Sequence, residues 1–113
     1  MITKDMIEQM ISERKEFVVH CDTEAASREF LDYLGSMGVC WCSGRKITGI
    51  KEEIDRTSFR LNSDGVLSKG HRDLYEDNFK YLPNFEWADI LSNSIKVTFD
   101  EDEFYKMLGV YHG

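Results

Sequence analysis

A strand, a capped helix and a second strand follow one another near the start of the chain, and this order constrains the fold most. Residues Glu16 to Cys21 are rich in β-branched and aromatic side chains and predict a buried strand. Asp22 or Thr23 can cap the following helix, whose apolar residues recur at 3.6-residue spacing. Gly38 is expected to end that helix in a left-handed conformation, and Val39 to Cys42 predict the next strand. Such a β-α-β unit requires the helix to cover one face of a sheet.

Two later segments also alternate between apolar and polar residues, as half-buried strands do. They are Thr57–Asn62 and Ser94–Phe99. After the first of them, Gly65 supplies a positive φ for a tight turn, and Val66 begins the returning arm of a hairpin. The region between the hairpin and residue 84 predicts an irregular path with a short helix. Phe85–Leu91 fits either a short helix or a strand.

Amphipathic helices are predicted at both ends of the chain. Thr3 can cap the first, whose apolar stripe we expect to pack on the core of its own chain. Asp100 can cap the last, which would run from Glu101 to Leu108 and end before Gly109. Residues 45–54 stay ambiguous, because their isoleucines suit a helix that Gly49 would weaken.

Together these elements predict one small α+β or α/β domain. A length of 113 residues suits a single domain. We expect residues 1–15 to form the N-terminal helix and residues 16–113 to form the domain proper. Its core would be one mixed, mostly antiparallel sheet of about four or five strands, packed by two or three helices and starting with the β-α-β unit.

Charge excludes several classes of partner. The chain has 21 acidic and 14 basic residues, and from residue 73 onward nine acids face three bases, a local charge of −6. Because nucleic acids and anionic membranes are bound by lysine and arginine, autonomous binding to either is not expected. A protein with a basic surface is the natural partner. Without an export signal or a long apolar run, the expected location is the cytoplasm, with reduced thiols.

The cysteines and histidines do not predict a metal centre. His20 and Cys21 point to opposite faces of one strand, so a zinc site with Cys40 and Cys42 would need a further ligand from outside this group. A cysteine nucleophile beside a histidine lacks supporting spacing as well. We therefore expect no catalytic residue, metal ion or cofactor, and a protein that is not an enzyme.

An acidic surface with one aromatic anchor is the leading candidate site. Trp87 stands between acidic neighbours and is expected to be partly exposed, since tryptophan often anchors protein interfaces. The acidic run that follows residue 99 would also interact favourably with the positive N-terminal end of its own helix. The predicted partner-binding residues are Trp87, Asp89, Asp100, Glu101, Asp102 and Glu103.

A basic turn supplies an alternative. Ser43, Gly44, Arg45 and Lys46 combine hydrogen-bond donors with two cations, which could clamp the phosphate of a nucleotide-like ligand. That would make the protein a small-ligand binding or sequestering protein. A small thiol or metal-dependent enzyme is a third class.

The chain resembles a group of small phage and prophage proteins. The resemblance is carried by a strand ending in His20-Cys21, a helix, and a Trp-x-Ser-Gly turn at Trp41 to Gly44, and it extends over roughly residues 16 to 104. It implies an accessory gene of a mobile element and transfers no catalytic residue. The resulting hypothesis is a non-enzymatic accessory protein that binds and inhibits a host defence or nucleic-acid enzyme in the host cytoplasm. A second copy of the chain, in a homodimer, is the other predicted partner.

Overall fold

A computed structural model describes residues 2–47 and 56–98, with side chains described as far as Asn93. Four helices and five strands follow one another in this part of the chain. In order they are α1 (Lys4–Ser12), β1 (Phe17–Cys21), α2 (Glu24–Ser36), β2 (Cys40–Trp41), β3 (Thr57–Leu61), β4 (Val66–His71), α3 (Arg72–Asn78), β5 (Asn84–Glu86) and α4 (Trp87–Thr98).

The strands form one mixed sheet in the order β2-β4-β3-β1-β5, which confirms an α+β fold. β1 pairs antiparallel with β3 on one side and parallel with β5 on the other. β3 pairs antiparallel with β4, and β2 runs parallel to β4 at the far edge. The predicted β-α-β connection is present, but its strands are not neighbours, because β3 and β4 lie between β1 and β2.

One face of the sheet carries the apolar core. Phe17, Val19 and Cys21 alternate along β1 and are buried in this core. Three helices pack on the same face, and Ile7 of α1 is fully buried there, so α1 packs on its own chain as predicted. The other core residues are Phe30, Leu31, Leu34, Val39, Ile47, Phe59, Leu61, Leu67, Trp87 and Ile90.

The opposite face is polar and is covered by α3. Its side chains come from the alternate positions of the strands, among them His20, Ser58 and Arg60. A Cβ at Gly70 would lie 2.2 Å from a ring carbon of Tyr75, so this ring packs directly on the backbone of β4. Small residues on this face therefore let α3 approach closely.

Local signals at the ends of the elements are confirmed. The hydroxyl of Thr3 accepts a hydrogen bond from the backbone of Met6, and that of Thr23 accepts one from Ala26. Gly38 and Gly65 both have φ near +80°, as the helix end and the hairpin turn require.

The strand predicted at Ser94–Phe99 is wrong, because α4 continues as a helix to Thr98. Six residues are too few to distinguish the two-residue repeat of a strand from the 3.6-residue repeat of a helix. Over a longer window, Trp87, Leu91 and Ile95 recur every four residues, which is the spacing of one helix face. The ambiguous Phe85–Leu91 segment holds both structures, since its first residues belong to β5 and the rest to α4. The predicted terminal helix from Glu101 lies outside the described residues, as does most of residues 45–54.

Removing the Trp87 side chain should destabilise the fold severely. Trp87 is fully buried, so Trp87→Ala leaves a large cavity and is expected to lower the free energy of unfolding by about 3–5 kcal/mol. Urea unfolding followed by circular dichroism measures this change. Tyr81→Ala is the matched control, because Tyr81 is 71% exposed and its loss should cost less than about 0.5 kcal/mol. Equal losses in the two variants would contradict the assignment of Trp87 to the core.

Candidate functional site

A polar cleft of about 470 Å³ lies where the parallel strands β1 and β5 end. Open clefts at the carboxyl ends of parallel strands are common ligand sites, since the chain leaves the sheet there in different directions. The cleft is lined by Ile2, His20, Arg72, Glu76, Lys80, Asn84, Phe85, Glu86 and Asp89.

Arg72 organises one wall of the cleft by binding three carboxylates at once. Its guanidinium contacts Asp22, at the end of β1, and Glu86 of β5, and its Nε donates to Glu76 over 2.6 Å. Partial burial opposes the charge of Arg72, but the hydrogen bonds to Glu76, Glu86 and Asp22 outweigh it and raise its pKa. One cation therefore fixes three anions and leaves that wall with an excess of negative charge.

His20 forms the floor of the cleft, and both of its ring nitrogens are hydrogen-bonded. The amide nitrogen of Asn84 donates to the carbonyls of Phe79 and Leu82 at 3.0 and 2.7 Å. This fixes Asn84 Oδ1 as the atom that faces His20 Nε2, at 2.8 Å. In the neutral ring Nε2 must then carry the hydrogen and donate it, which leaves Nδ1 to accept from the Ser58 hydroxyl at 2.5 Å.

Ser58, His20 and Asn84 are connected in the order of a catalytic triad, but a substrate cannot reach the serine. Ser58 is 0% exposed, so an acyl or phosphoryl substrate has no path to its oxygen. What the network does is structural: through Asn84 it ties the loop after α3 to the centre of the sheet. The cleft floor is thereby held in one arrangement.

The rim of the cleft carries charges that have no described partner. Asp89 and Lys80 are both exposed, and neither makes an ion pair with another described residue. Four carboxylates surround the cleft, Asp22 beside Arg72 and three in the lining, against two basic side chains, which gives a formal local charge of −2. A cationic group is therefore attracted to this position.

The predicted exposure of Trp87 is wrong. Its indole is 0% exposed and packs against the rings of Phe30 and Tyr33, at centroid distances of 5.1 and 5.5 Å. As the first residue of α4, Trp87 turns onto the apolar face, while Asp89, two positions later, turns to the cleft. Of the predicted partner-binding residues, Asp89 lies in the cleft, and Asp100, Glu101, Asp102 and Glu103 lie outside the described residues.

The basic turn proposed for a nucleotide-like ligand lies at the opposite edge of the sheet. Ser43 to Lys46 are exposed and reverse the chain after β2, with φ of Gly44 at +86° and a 2.8 Å hydrogen bond from Gly44 to Trp41. Lys46 forms a bridge back to Cys40. The turn and the cleft are thus separate surfaces, with β4, β3 and β1 between β2 and β5.

The cysteines are distributed over separate environments. Cys21 is buried in β1, and Cys42 is exposed after β2, with two strands between β1 and β2. His20 and Cys21 are therefore not beside Cys40 and Cys42. Among residues 2–47 and 56–98, no group of three or more potential ligands is placed to hold a metal ion.

Most residues of the cleft were not predicted from the sequence. Arg72 and Glu76 stand four residues apart, which predicts an ion pair on a helix. This spacing does not predict that Asp22 and Glu86 also bind Arg72. Nothing in the sequence indicated that Asn84 would reach back 64 positions to His20. Alternation along β1 was the available signal, because it places His20 on the face opposite Phe17 and Val19.

Comparisons with known protein families, curated proteins and solved structures found no match to this chain. In the part of the chain that the structure describes, the helices are too short or too polar to cross a membrane. The functional argument therefore depends on the geometry of the cleft.

Thiol labelling should separate the buried and exposed cysteines. Burial raises the pKa of the Cys21 thiol from its ordinary value of 9.0 to about 12. At pH 8 a thiol reagent should modify exposed Cys42 in the folded protein and reach Cys21 only after urea unfolding; mass spectrometry of the peptides measures both.

The same shift predicts the pH dependence of stability. Because the folded pKa of Cys21 is raised, its contribution to stability is complete below pH 9 and is lost as the pH rises from 9 towards 12. Cys21→Ala removes this thiol, so the stability difference between the natural protein and the variant should shrink over that range. Rapid labelling of Cys21 without denaturant would contradict its burial.

Proposed function

We propose that this protein acts by binding a protein with a basic surface, and that the cleft beside β5 is a contact surface. The excess of carboxylates around the cleft is the observation that carries this proposal. Among the carboxylates that line the cleft, Asp89 is the most available to a partner, because Glu76 and Glu86 are bound to Arg72. An incoming lysine or arginine would supply the missing positive charge.

Ion pairing elsewhere supports the choice of the cleft. Away from it, several carboxylates each have an arginine of their own, such as Glu24 with Arg28 at 2.6 Å and Glu16 with Arg60 at 3.2 Å. Such pairs cancel most of the local field. In the cleft, Arg72 is shared among three carboxylates, so the field is not cancelled.

Access supports binding rather than catalysis. The hydroxyl of Ser58 is buried beneath α3, and Cys42 follows β2, which two strands separate from His20 on β1. Binding requires only that charged and polar groups be held in place, and Arg72 and Asn84 hold them.

The finer form of the proposal is a phage-type accessory protein that inhibits a host defence or nucleic-acid enzyme in the host cytoplasm. The phosphate-binding surface of such an enzyme is basic and would match a cluster of carboxylates. The acidic run from Asp100 to Glu103 would add four negative charges to the same contact. Attraction of this kind speeds association and weakens as salt is added.

Neutralising Asp89 should weaken binding of a basic ligand. With an arginine-rich peptide as the probe, Asp89→Asn is expected to lower the affinity by about two- to fivefold in low salt, as for one solvent-exposed ion pair. Isothermal titration calorimetry at low and high salt measures this loss. Asp32→Asn is the matched control, because Asp32 is likewise exposed, on α2, but does not line the cleft. Equal effects of the two substitutions would mean that binding responds to net charge alone and not to the cleft.

The acidic run near the C-terminus can be tested in the same way. The triple variant Asp100→Asn, Asp102→Asn and Glu103→Gln should bind the peptide more weakly and show a smaller dependence on salt. If the affinity and the salt dependence of the variant both equal those of the natural protein, the acidic run does not take part in the contact.

A further inference from the structure

The cleft lies on the polar face over the ends of β1 and β5, and it extends around β5 to residues of the apolar side. Successive residues of a strand point to opposite faces, and the cleft is lined from both sides of β5. Phe85 packs against the apolar core together with Ile2, while Asn84 and Glu86 turn to the polar face with His20. Because the cleft contacts residues from both faces of β5, it borders the outer edge of this strand.

Among residues 2–47 and 56–98, none pairs with certain backbone groups of β5 at this edge. Val18 N donates to Pro83 O at 2.9 Å, and Val18 is in register with Asn84. In a parallel ladder of this register, the N–H and C=O of Phe85 point to β1, whereas those of Asn84 and the N–H of Glu86 point away. These outward groups make no hydrogen bond to another described residue. An edge of this kind is a template for a further strand.

We propose that β5 takes up an extended, basic segment of a partner protein as a sixth strand. This inference rests on the proposed function and specifies how the basic partner is bound. The segment would exchange backbone hydrogen bonds with Asn84 and Glu86. Successive side chains of the segment would point to opposite faces. The basic ones would face Glu86 and Glu76, and the apolar ones would face Phe85 and Ile2.

Charge favours a foreign segment over a second copy of this chain. Pairing β5 with β5 would bring the carboxylates of Glu86 and Asp89 close to those of the other copy, and like charges placed opposite one another in a sheet are destabilising. A segment in which lysine or arginine alternates with apolar residues has no such conflict.

Backbone methylation of a peptide tests strand addition directly. The probe is an alternating lysine-valine heptapeptide, compared with two variants methylated on the backbone nitrogens of either every lysine or every valine. Successive N–H groups of a strand point in opposite directions, so only one methylated set faces β5. That variant should bind at least about tenfold more weakly, the loss of one or more backbone hydrogen bonds, while the other keeps its affinity. Equal affinities of the two variants would overturn strand addition.

Amide hydrogen exchange, followed by NMR, gives a second readout on the protein itself. In the free protein the Phe85 amide should be protected and the Asn84 and Glu86 amides should exchange rapidly; the unmethylated peptide should slow the latter two by about tenfold or more. Binding without added protection would overturn strand addition and leave the proposed function intact. Protection of Asn84 in the free protein would also overturn it, because the edge would already be occupied. No binding of any basic peptide would contradict the proposed function itself.

Discussion

The double burial of β1 is the constraint on which the rest of the structure depends. This strand is paired along both edges and covered on both faces. The side chains on its two faces therefore meet different environments. Phe17, Val19 and Cys21 contribute to the apolar core. His20, on the other face, would be costly to bury alone, and its two ring nitrogens are satisfied by Ser58 and Asn84.

The same network connects the core to the candidate site. By binding His20, Asn84 places β5 beside β1, and Arg72 then joins the ends of both strands through Asp22 and Glu86. The cleft therefore has a rigid floor and one fixed wall, while its other side is the edge of β5 with which no other described strand pairs. Rigid charged groups beside an unpaired strand edge favour recognition of another chain, because little has to be ordered on binding.

Trp87 shows why composition around a residue is a poor guide to its exposure. Its neighbours Glu86 and Asp89 are polar, but neighbouring positions on a strand or helix point in different directions. The change from strand to helix at residue 87 turns the indole into the core and leaves the carboxylates at the cleft. Local charge predicted an acidic surface near this point; it did not predict which side chain would be inside.

The sequence alone determined the α+β class, the two threonine-capped helices, the hairpin turn at Gly65, the buried strand β1 and the alternation of β3. These follow from interactions between residues close in the chain, such as caps, turns and the repeat of one element. Only the tertiary structure decided that β3 and β4 separate β1 from β2, that residues 94–98 are helical, and that Arg72 and Asn84 join distant strands into one cleft. Such pairings join residues up to 64 positions apart, and they depend on which faces and edges are left to cover once the core has formed.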